Sequence, residues 1–588
     1  MLKAVRATEP RSARRRGAAA LCLCAALALA GPLAPAQTLP ARECRAVWLT
    51  TLSGLDWPSA ATRGNPEAQQ RELRVILDNL VARNINTVYF QARSRGNAFY
   101  RSAIEPWAAE LSGSFGTDPG WDPLAFAISE AHARGLELHA WVNVYKVWSG
   151  GASPPRSTPP HIAHVSPAWV TEYKGEQWID PGIPEAREWL VRLFSDIALR
   201  YDLDAIHLDY ARYPEADFDD AATYRRLGRG TERAAWRRAN VDAFVAELSA
   251  RLRALKPRLR LGAAPIGIYE SIPDARGWQG YHALGQDSRG WLRKGLVDYL
   301  APQIYWGLKR RGSNVDFDAL IHDWQRASSG RTIIAGMAPY KDDVRPGIGD
   351  MIDVSRTAGA AGQAYFRYEH VRDGSAFAGR YETRILPPAA PWRDPVRPNP
   401  PTALRVERGD GAATLTWRSP APAADGETVT RSAVYRMERG AAAVPVLLAV
   451  LPEGVTQYRD TRRAAEAEYF VTALDRCNNE SDACSSAIIA GRARTPSPSH
   501  ARTAPRLAEP VFHGDRLLLV AYQLPAPADM RLRLMDGDGA ELAVLVDGRI
   551  DAGTHMLGLD LDRLPPRAAR LVFETGETTQ LRELTSAP

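Results

Sequence analysis

Short apolar runs alternate with longer amphipathic stretches across the first two thirds of the chain. The runs Arg45–Thr51, Thr87–Ala92, Glu137–Asn143, Ala205–Tyr210, Leu259–Ala264, Tyr299–Tyr305, Thr332–Ala338 and Gln363–Arg367 have the length and composition of strands. Between them, Glu67–Arg83, Pro123–Arg134, Pro184–Tyr201, Arg233–Leu255 and Phe317–Ser328 space their apolar residues as helices do. Eight strands alternating with helices predict an α/β fold, a closed (β/α)8 TIM barrel, which leaves no sheet edge exposed. A doubly wound open sheet is the competing arrangement, but no Gly-rich phosphate loop follows the first strand.

The pattern changes after a Pro-rich stretch from Pro387 to Pro401. Of sixteen tryptophans, fifteen lie at or before Trp392, and Trp417 stands alone beyond it. Residues 398–492 alternate apolar and polar positions in short strands, among them Ala412–Arg418, Ser432–Arg436 and Glu468–Leu474. With Trp417 as core aromatic and Tyr469 at a corner, this segment resembles a fibronectin type III β-sandwich. A linker at 493–506 leads to a second all-β segment, 507–588, which resembles small immunoglobulin-like modules. The expected organisation is therefore 1–36 leader, 37–393 barrel, 398–492 sandwich, 493–506 linker and 507–588 sandwich.

The 588-residue composition, 45% apolar and 24% charged, excludes wholesale disorder and coiled-coil or collagen-like chains. Of the net charge of +6, the first 36 residues supply +5, from Lys3, Arg6, Arg11, Arg14, Arg15 and Arg16 against Glu9. The remainder asks for no nucleic-acid partner. Those arginines precede an apolar run, Ala18–Ala30, and then Ala34-Pro35-Ala36. This order predicts a signal peptide cut after Ala36 and a periplasmic or secreted product. The mature chain is expected to have no membrane span and no cofactor or metal, and to be a monomer. Export makes a disulfide between Cys477 and Cys484 the expected pairing, with two separate thiols as the alternative.

Barrel enzymes carry their reacting groups at the C-terminal ends of the strands. The fourth strand offers Asp204-Ala-Ile-His-Leu-Asp-Tyr-Ala-Arg-Tyr-Pro. A period of two turns His207 and Asp209 inward and Ile206 and Leu208 towards the helices. Asp209 then stands at the mouth beside Tyr210 and Arg212, where an unpaired carboxylate is costly and calls for a reason. The other strand ends contribute Gln91 and Arg93, then His139, Trp141 and Asn143, and then Gln303, Tyr305 and Trp306. Aromatic faces beside amide and guanidinium donors suit a sugar, which offers a stacking face and ring hydroxyls. Hydrolysis of a glycosidic bond ordinarily takes two carboxyl groups. Glu369 at the end of the eighth strand is the first candidate for Asp209's partner, raised in pKa by burial, with Glu270 and Asp56 behind it. No Gly-x-Ser-x-Gly turn and no paired-histidine metal motif appears, which disfavours serine and metal hydrolysis.

Several ordered stretches carry a family resemblance: Arg45-Ala-Val-Trp-Leu-Thr, Asn86-Thr-Val-Tyr-Phe-Gln-Ala-Arg, Glu105-Pro-Trp, Pro119-Gly-Trp-Asp-Pro-Leu, Leu138-His-Ala-Trp-Val-Asn, Tyr201-Asp-Leu-Asp-Ala-Ile-His-Leu-Asp-Tyr and Pro302-Gln-Ile-Tyr-Trp. Residues 43–370 resemble the glycosyl-hydrolase-like family ten barrels of exported bacterial proteins. Asn97 and Val144 stand where such proteins often have Asp and Pro. The resemblance implies a glycoside hydrolase acting on cell-wall glycan, including peptide-stripped peptidoglycan strands. A wall-binding protein that keeps the barrel without turnover is the alternative, and another polysaccharide substrate is a third.

Overall fold

The computed structural model describes residues 42–309, 314–409, 412–437, 445–462, 467–485, 505–507, 511–513, 517–524, 527–550, 553–560, 568–576 and 578–584. The expected leader and its cleavage point lie outside these residues, as does most of the 493–506 linker. The chain divides into two compact units, 1–489 and 490–588.

The first unit is built on eight parallel strands: β1 (Cys44–Leu49), β2 (Thr87–Arg93), β3 (Glu137–Asn143), β4 (Ala205–Asp209), β5 (Arg260–Ala263), β6 (Tyr299–Leu300), β7 (Thr332–Ile333 and Ala335–Met337) and β8 (Gly362–Phe366). They pair in chain order from β1 to β6, and β1 also pairs with β8. The first piece of β7 pairs with β6 and the second with β8. Because Ile334 alone separates the two pieces, the sheet returns on itself as a barrel. Helices Pro66–Ala82, Pro123–Ala133, Pro184–Arg200 and Arg233–Leu255 follow the first four strands. Asn65 and Asp122 cap the first two by accepting from the amides of Ala68 and Ala125, ahead of Pro66 and Pro123 in the first turn.

Strand alternation separates two cores. Val88, Phe90, Ile206 and Leu208 face outward into the strand–helix layer. Trp48, Tyr89, Trp141, Ala205, Ala264 and Tyr299 fill the barrel interior. Gly262 is required here, because a Cβ would stand 2.0 Å from the Tyr299 ring.

Beyond the barrel, strands Thr402–Gly409, Ala412–Arg418 and Gln457–Asp460 form one antiparallel sheet. Val446–Pro452, Arg431–Met437, Glu468–Leu474 and Cys484–Ser485 form a second. Leu415, Trp417, Val434 and Tyr469 pack between the sheets, and the Tyr469 hydroxyl donates to Asp460 at 3.0 Å. Val446–Pro452 is a strand that the alternation of apolar and polar positions does not reveal.

These strands are tied to the N-terminal end of the barrel. The Asn478 amide donates to Glu137 Oε1 at 2.8 Å, and Arg260 closes on the same oxygen at 2.6 Å. Asn479 donates to the Asp394 carbonyl at 2.8 Å. This docking explains why the expected disulfide does not form. Cys477 is drawn under the barrel, its Sγ 3.8 Å from the Arg258 carbonyl, while Cys484 pairs beside Val471.

The second unit contains two antiparallel sheets. Strands Arg506–Leu507, Val511–His513, Leu517–Leu524 and Gly553–Asp560 make one, and Ala528–Asp536, Glu541–Ile550, Ala568–Thr575 and Thr578–Glu583 the other. Leu518, Val520, Leu532, Leu534 and Phe573 form their shared core. No helix among the described residues is long and apolar enough to cross a membrane.

Candidate active site

Asp209 ends β4 at the C-terminal mouth of the barrel, in register with Asn143 on β3. Tyr210 follows with φ +52°, in the left-handed region that costs a non-glycine residue about 1 kcal/mol. That turn brings the Tyr210 amide onto Asp209 Oδ1 at 2.8 Å. Gln303, beyond β6, donates to the same oxygen at 3.3 Å and is anchored by the Ala264 carbonyl at 3.0 Å. Among the described residues, Oδ2 accepts no hydrogen bond. One carboxylate oxygen is thus held by two donors, and the Trp141 indole also acts on the carboxyl. Burial pushes the Asp209 carboxyl up to about 6, against the lowering pull of the Tyr210 amide, Arg212, Trp141 and Gln303.

The surroundings are aromatic. The Trp141 indole N–H and Asn143 Oδ1 are buried without hydrogen-bond partners. Phe366 lies 6.3 Å from Trp141 and 5.9 Å from Tyr305, and Tyr340 lies 6.2 Å from Tyr305, ring centre to ring centre. Half-buried Trp306 receives the Lys341 ammonium 5.7 Å from its ring centre. Across the mouth, Tyr210 meets Trp178 edge-on at 5.6 Å. Trp178 belongs to a three-stranded excursion, Lys146–Ser149, Val170–Tyr173 and Glu176–Ile179, inserted after β3. Arg212 stacks between Tyr210, Trp178 and Trp278.

Asp209, Trp141, Asn143, Tyr210, Arg212, Gln303, Tyr305 and Trp306 therefore gather at one mouth. Four other expected contacts lie elsewhere. His207 is fully buried one layer below Asp209. Its Nε2 accepts from the Trp48 indole at 3.1 Å, leaving Nδ1 to donate to the Tyr299 hydroxyl at 2.9 Å. Tyr299 can then donate to His139 Nδ1 at 2.7 Å, and His139 Nε2 faces Glu137 at 3.3 Å. Burial holds His207 well below the ordinary histidine pKa and lowers His139. Both imidazoles are neutral parts of the interior. Gln91 accepts from the amides of Thr51 and Leu52 at 3.0 and 2.9 Å, which fixes the loop after β1. Arg93 is sealed, forked onto Glu105 at 2.7 to 3.0 Å and bonded to the carbonyls of Asn143 and Val144.

The expected partner carboxylates differ in the same way. The Glu369 side chain is 41% exposed and reaches Arg372 at 3.4 Å. It lies on a 3-10 turn, Tyr368–His370, because the chain leaves β8 at Phe366. The burial expected of a strand end is therefore missing from it. Glu270 is 45% exposed and pairs with His282 at 2.9 Å. Asp56 is sealed, but its oxygens accept from the Thr50 amide at 2.8 Å, the Glu369 amide at 3.0 Å and Arg367. The structure adds Trp178, Trp278, Tyr340 and Phe366 to the mouth. Tryptophans in long loops after β3 and β5 were the signal for the first two.

A barrel with a raised-pKa carboxyl at its mouth, ringed by aromatic faces, belongs to the class of α/β barrels whose strand ends form a polar cleft. The chain matches the family described as Glycosyl hydrolase-like 10 over residues 43–343, and it belongs to that family. It is 31% identical over 477 residues to Glycosyl hydrolase YngK of Bacillus subtilis, covering 75% of this chain and 92% of that protein. To Glycosyl hydrolase DigH of Escherichia coli K12 it is 34% identical over 321 residues, covering 50% of this chain and 72% of that one. Among solved structures, the catalytic domain of β-amylase from Paenibacillus polymyxa covers 58% of this chain and 97% of its own, with 12% identity and a TM-score of 0.38.

Proposed function

We propose that this protein is an exported glycoside hydrolase that cuts a β-linked amino-sugar glycan of the bacterial cell wall, with Asp209 as its general acid. The observation that carries this reading is the Asp209 carboxyl itself. Its Oδ1 is clamped by two donors, and burial raises its pKa to about 6. A carboxyl so tuned keeps a protonated fraction near neutral pH and can pass that proton to a leaving glycosidic oxygen. Tyr305, Trp306 and Tyr210, each only partly buried, supply stacking faces for sugar rings. The relatives' printed names, both glycosyl hydrolases, support the reaction class.

Glu369, Glu270 and Asp56 are all engaged elsewhere, so the opposing nucleophile need not be a protein carboxylate. An amino sugar brings its own acetamido oxygen, and one well-placed acid then suffices. That route predicts products with retained anomeric configuration. The leader at 1–36 fits delivery to the wall, and the sandwich at 398–492 fits a fibronectin type III-like module fused to the barrel.

The test is incubation with peptidoglycan, intact and amidase-stripped, followed by mass spectrometry of the soluble products. Short glycan fragments from the native protein and none from Asp209→Asn are expected. Fragments from both would remove Asp209 as the acid. No fragments, with both proteins sedimenting on the glycan, would favour the wall-binding alternative.

A further inference from the structure

Most of the described cations around the mouth meet a carboxylate, and Lys341 donates to the Tyr305 carbonyl at 2.8 Å beside the Trp306 ring. Lys146 pairs with Glu176, Arg367 with Asp56, and Arg95 with Glu110 at 3.4 Å. Arg212 forms no ion pair among the described residues. Its Nη1 donates to the carbonyls of Tyr213 at 3.0 Å and Pro214 at 3.4 Å. Its other guanidinium nitrogens make no hydrogen bond among the described residues. The group is half-buried, with the ring centres of Trp278, Tyr210 and Trp178 at 4.9, 5.1 and 5.6 Å. Those rings hold the guanidinium in place and return part of the lost hydration.

Three carboxylates act on Arg212 from a distance: Asp209, Glu215 and Glu176. Glu215 accepts from the Trp278 indole at 2.9 Å. Glu176 accepts from the Trp178 indole at 3.0 Å and from Lys146. Asp209 is the reacting carboxyl. A half-buried guanidinium left unpaired is costly, and its planar fork matches a carboxylate better than any neutral sugar group.

We propose that Arg212 determines specificity by pairing with a free carboxylate carried on the glycan beside the bond that is cut. The site then selects a chain of acidic sugars over the same chain with its carboxylates blocked as amides. This inference rests on the glycosidase reading above. On a peptidoglycan strand the carboxylate is that of the lactyl ether, which is free only where the peptide has been removed.

The probes are peptide-stripped peptidoglycan oligosaccharides and the same oligosaccharides condensed with methylamine, which replaces each carboxylate by an amide. Turnover and calorimetric binding are measured for the native chain, Arg212→Gln and Arg212→Lys, with urea unfolding as the check that each variant is folded. The native protein should bind the acid form at least about tenfold more tightly than the amide, in Kd and in KM, with kcat little changed. Arg212→Gln should bind both forms alike, at the level of the native protein on the amide, and Arg212→Lys should keep part of the preference. Equal native affinity for the two forms overturns the proposal. An Arg212→Gln variant that still discriminates, or that only shifts the pH profile of turnover, overturns it too, since Arg212 would then act through Asp209. Preferential binding without hydrolysis keeps the proposal and removes the glycosidase reading, whereas hydrolysis without preference does the reverse. Binding of neither form overturns both.

Discussion

Replacing Asp209 with Asn should stabilise the barrel at neutral pH while ending turnover. The native carboxyl titrates near 6, against an ordinary value of 3.8, because it is held out of water. Between those two values the folded protein binds a proton that the unfolded chain has released, so stability falls as pH rises through that window and is flat above it. A gap of that size corresponds to roughly 3 kcal/mol, and partial exposure of Asp209 reduces this to about 2 kcal/mol at pH 7.5. The Asn carbonyl can still accept from the Tyr210 amide and from Gln303, so the clamp survives while the charge does not. Fifteen of sixteen tryptophans lie at or before Trp392, so fluorescence during urea unfolding reports chiefly on the barrel. With a slope of about 3 kcal/mol/M, the Asp209→Asn midpoint should rise by roughly 0.7 M at pH 7.5. At pH 4 the gain should fall to about 0.5 kcal/mol, because native Asp209 is then neutral. A gain independent of pH, or a loss of stability at pH 7.5, would refute the reasoning that burial of this carboxyl is uncompensated.

Other expectations follow from the same geometry. Glu369→Gln should leave kcat within about twofold of native, since that side chain is exposed and paired with Arg372; a loss of a hundredfold would return it to the chemistry. Gln303→Leu removes a donor that favours the Asp209 carboxylate, so the pKa should climb and the alkaline limb of the rate profile should move to higher pH. Arg260→Met leaves the buried Glu137 charge short of its closest cation and should cost about 3 to 5 kcal/mol in urea unfolding.

The barrel was legible because strand and helix periods differ and all eight strands carry enough apolar residues to show theirs. The same period turned His207 and Asp209 inward together, yet it could not say how deep each one sits. His207 falls one layer down, against Tyr299 and Trp48, and becomes part of the core. Arg93 has the position of a sugar donor at a strand end. Its partner, Glu105, arrives from a loop twelve residues on, a contact that no local pattern announces. Glu369 departs from expectation because the chain turns at Tyr368 instead of extending β8. The Cys477–Cys484 spacing suggests a hairpin, but the intervening asparagines are spent on Glu137 and Asp394 of the barrel unit. Long-range pairing governs each of these cases, whereas the place of Asp209 at the mouth was readable because it ends a strand.

The most direct test of Asp209 as the acid is the pH dependence of kcat/KM on peptide-stripped glycan. A limb that falls tenfold per unit above about pH 6 is expected, set by loss of the Asp209 proton in the free enzyme. A rate that instead rises through pH 6, or that shows no titration there, would contradict the assignment of Asp209 as the proton donor.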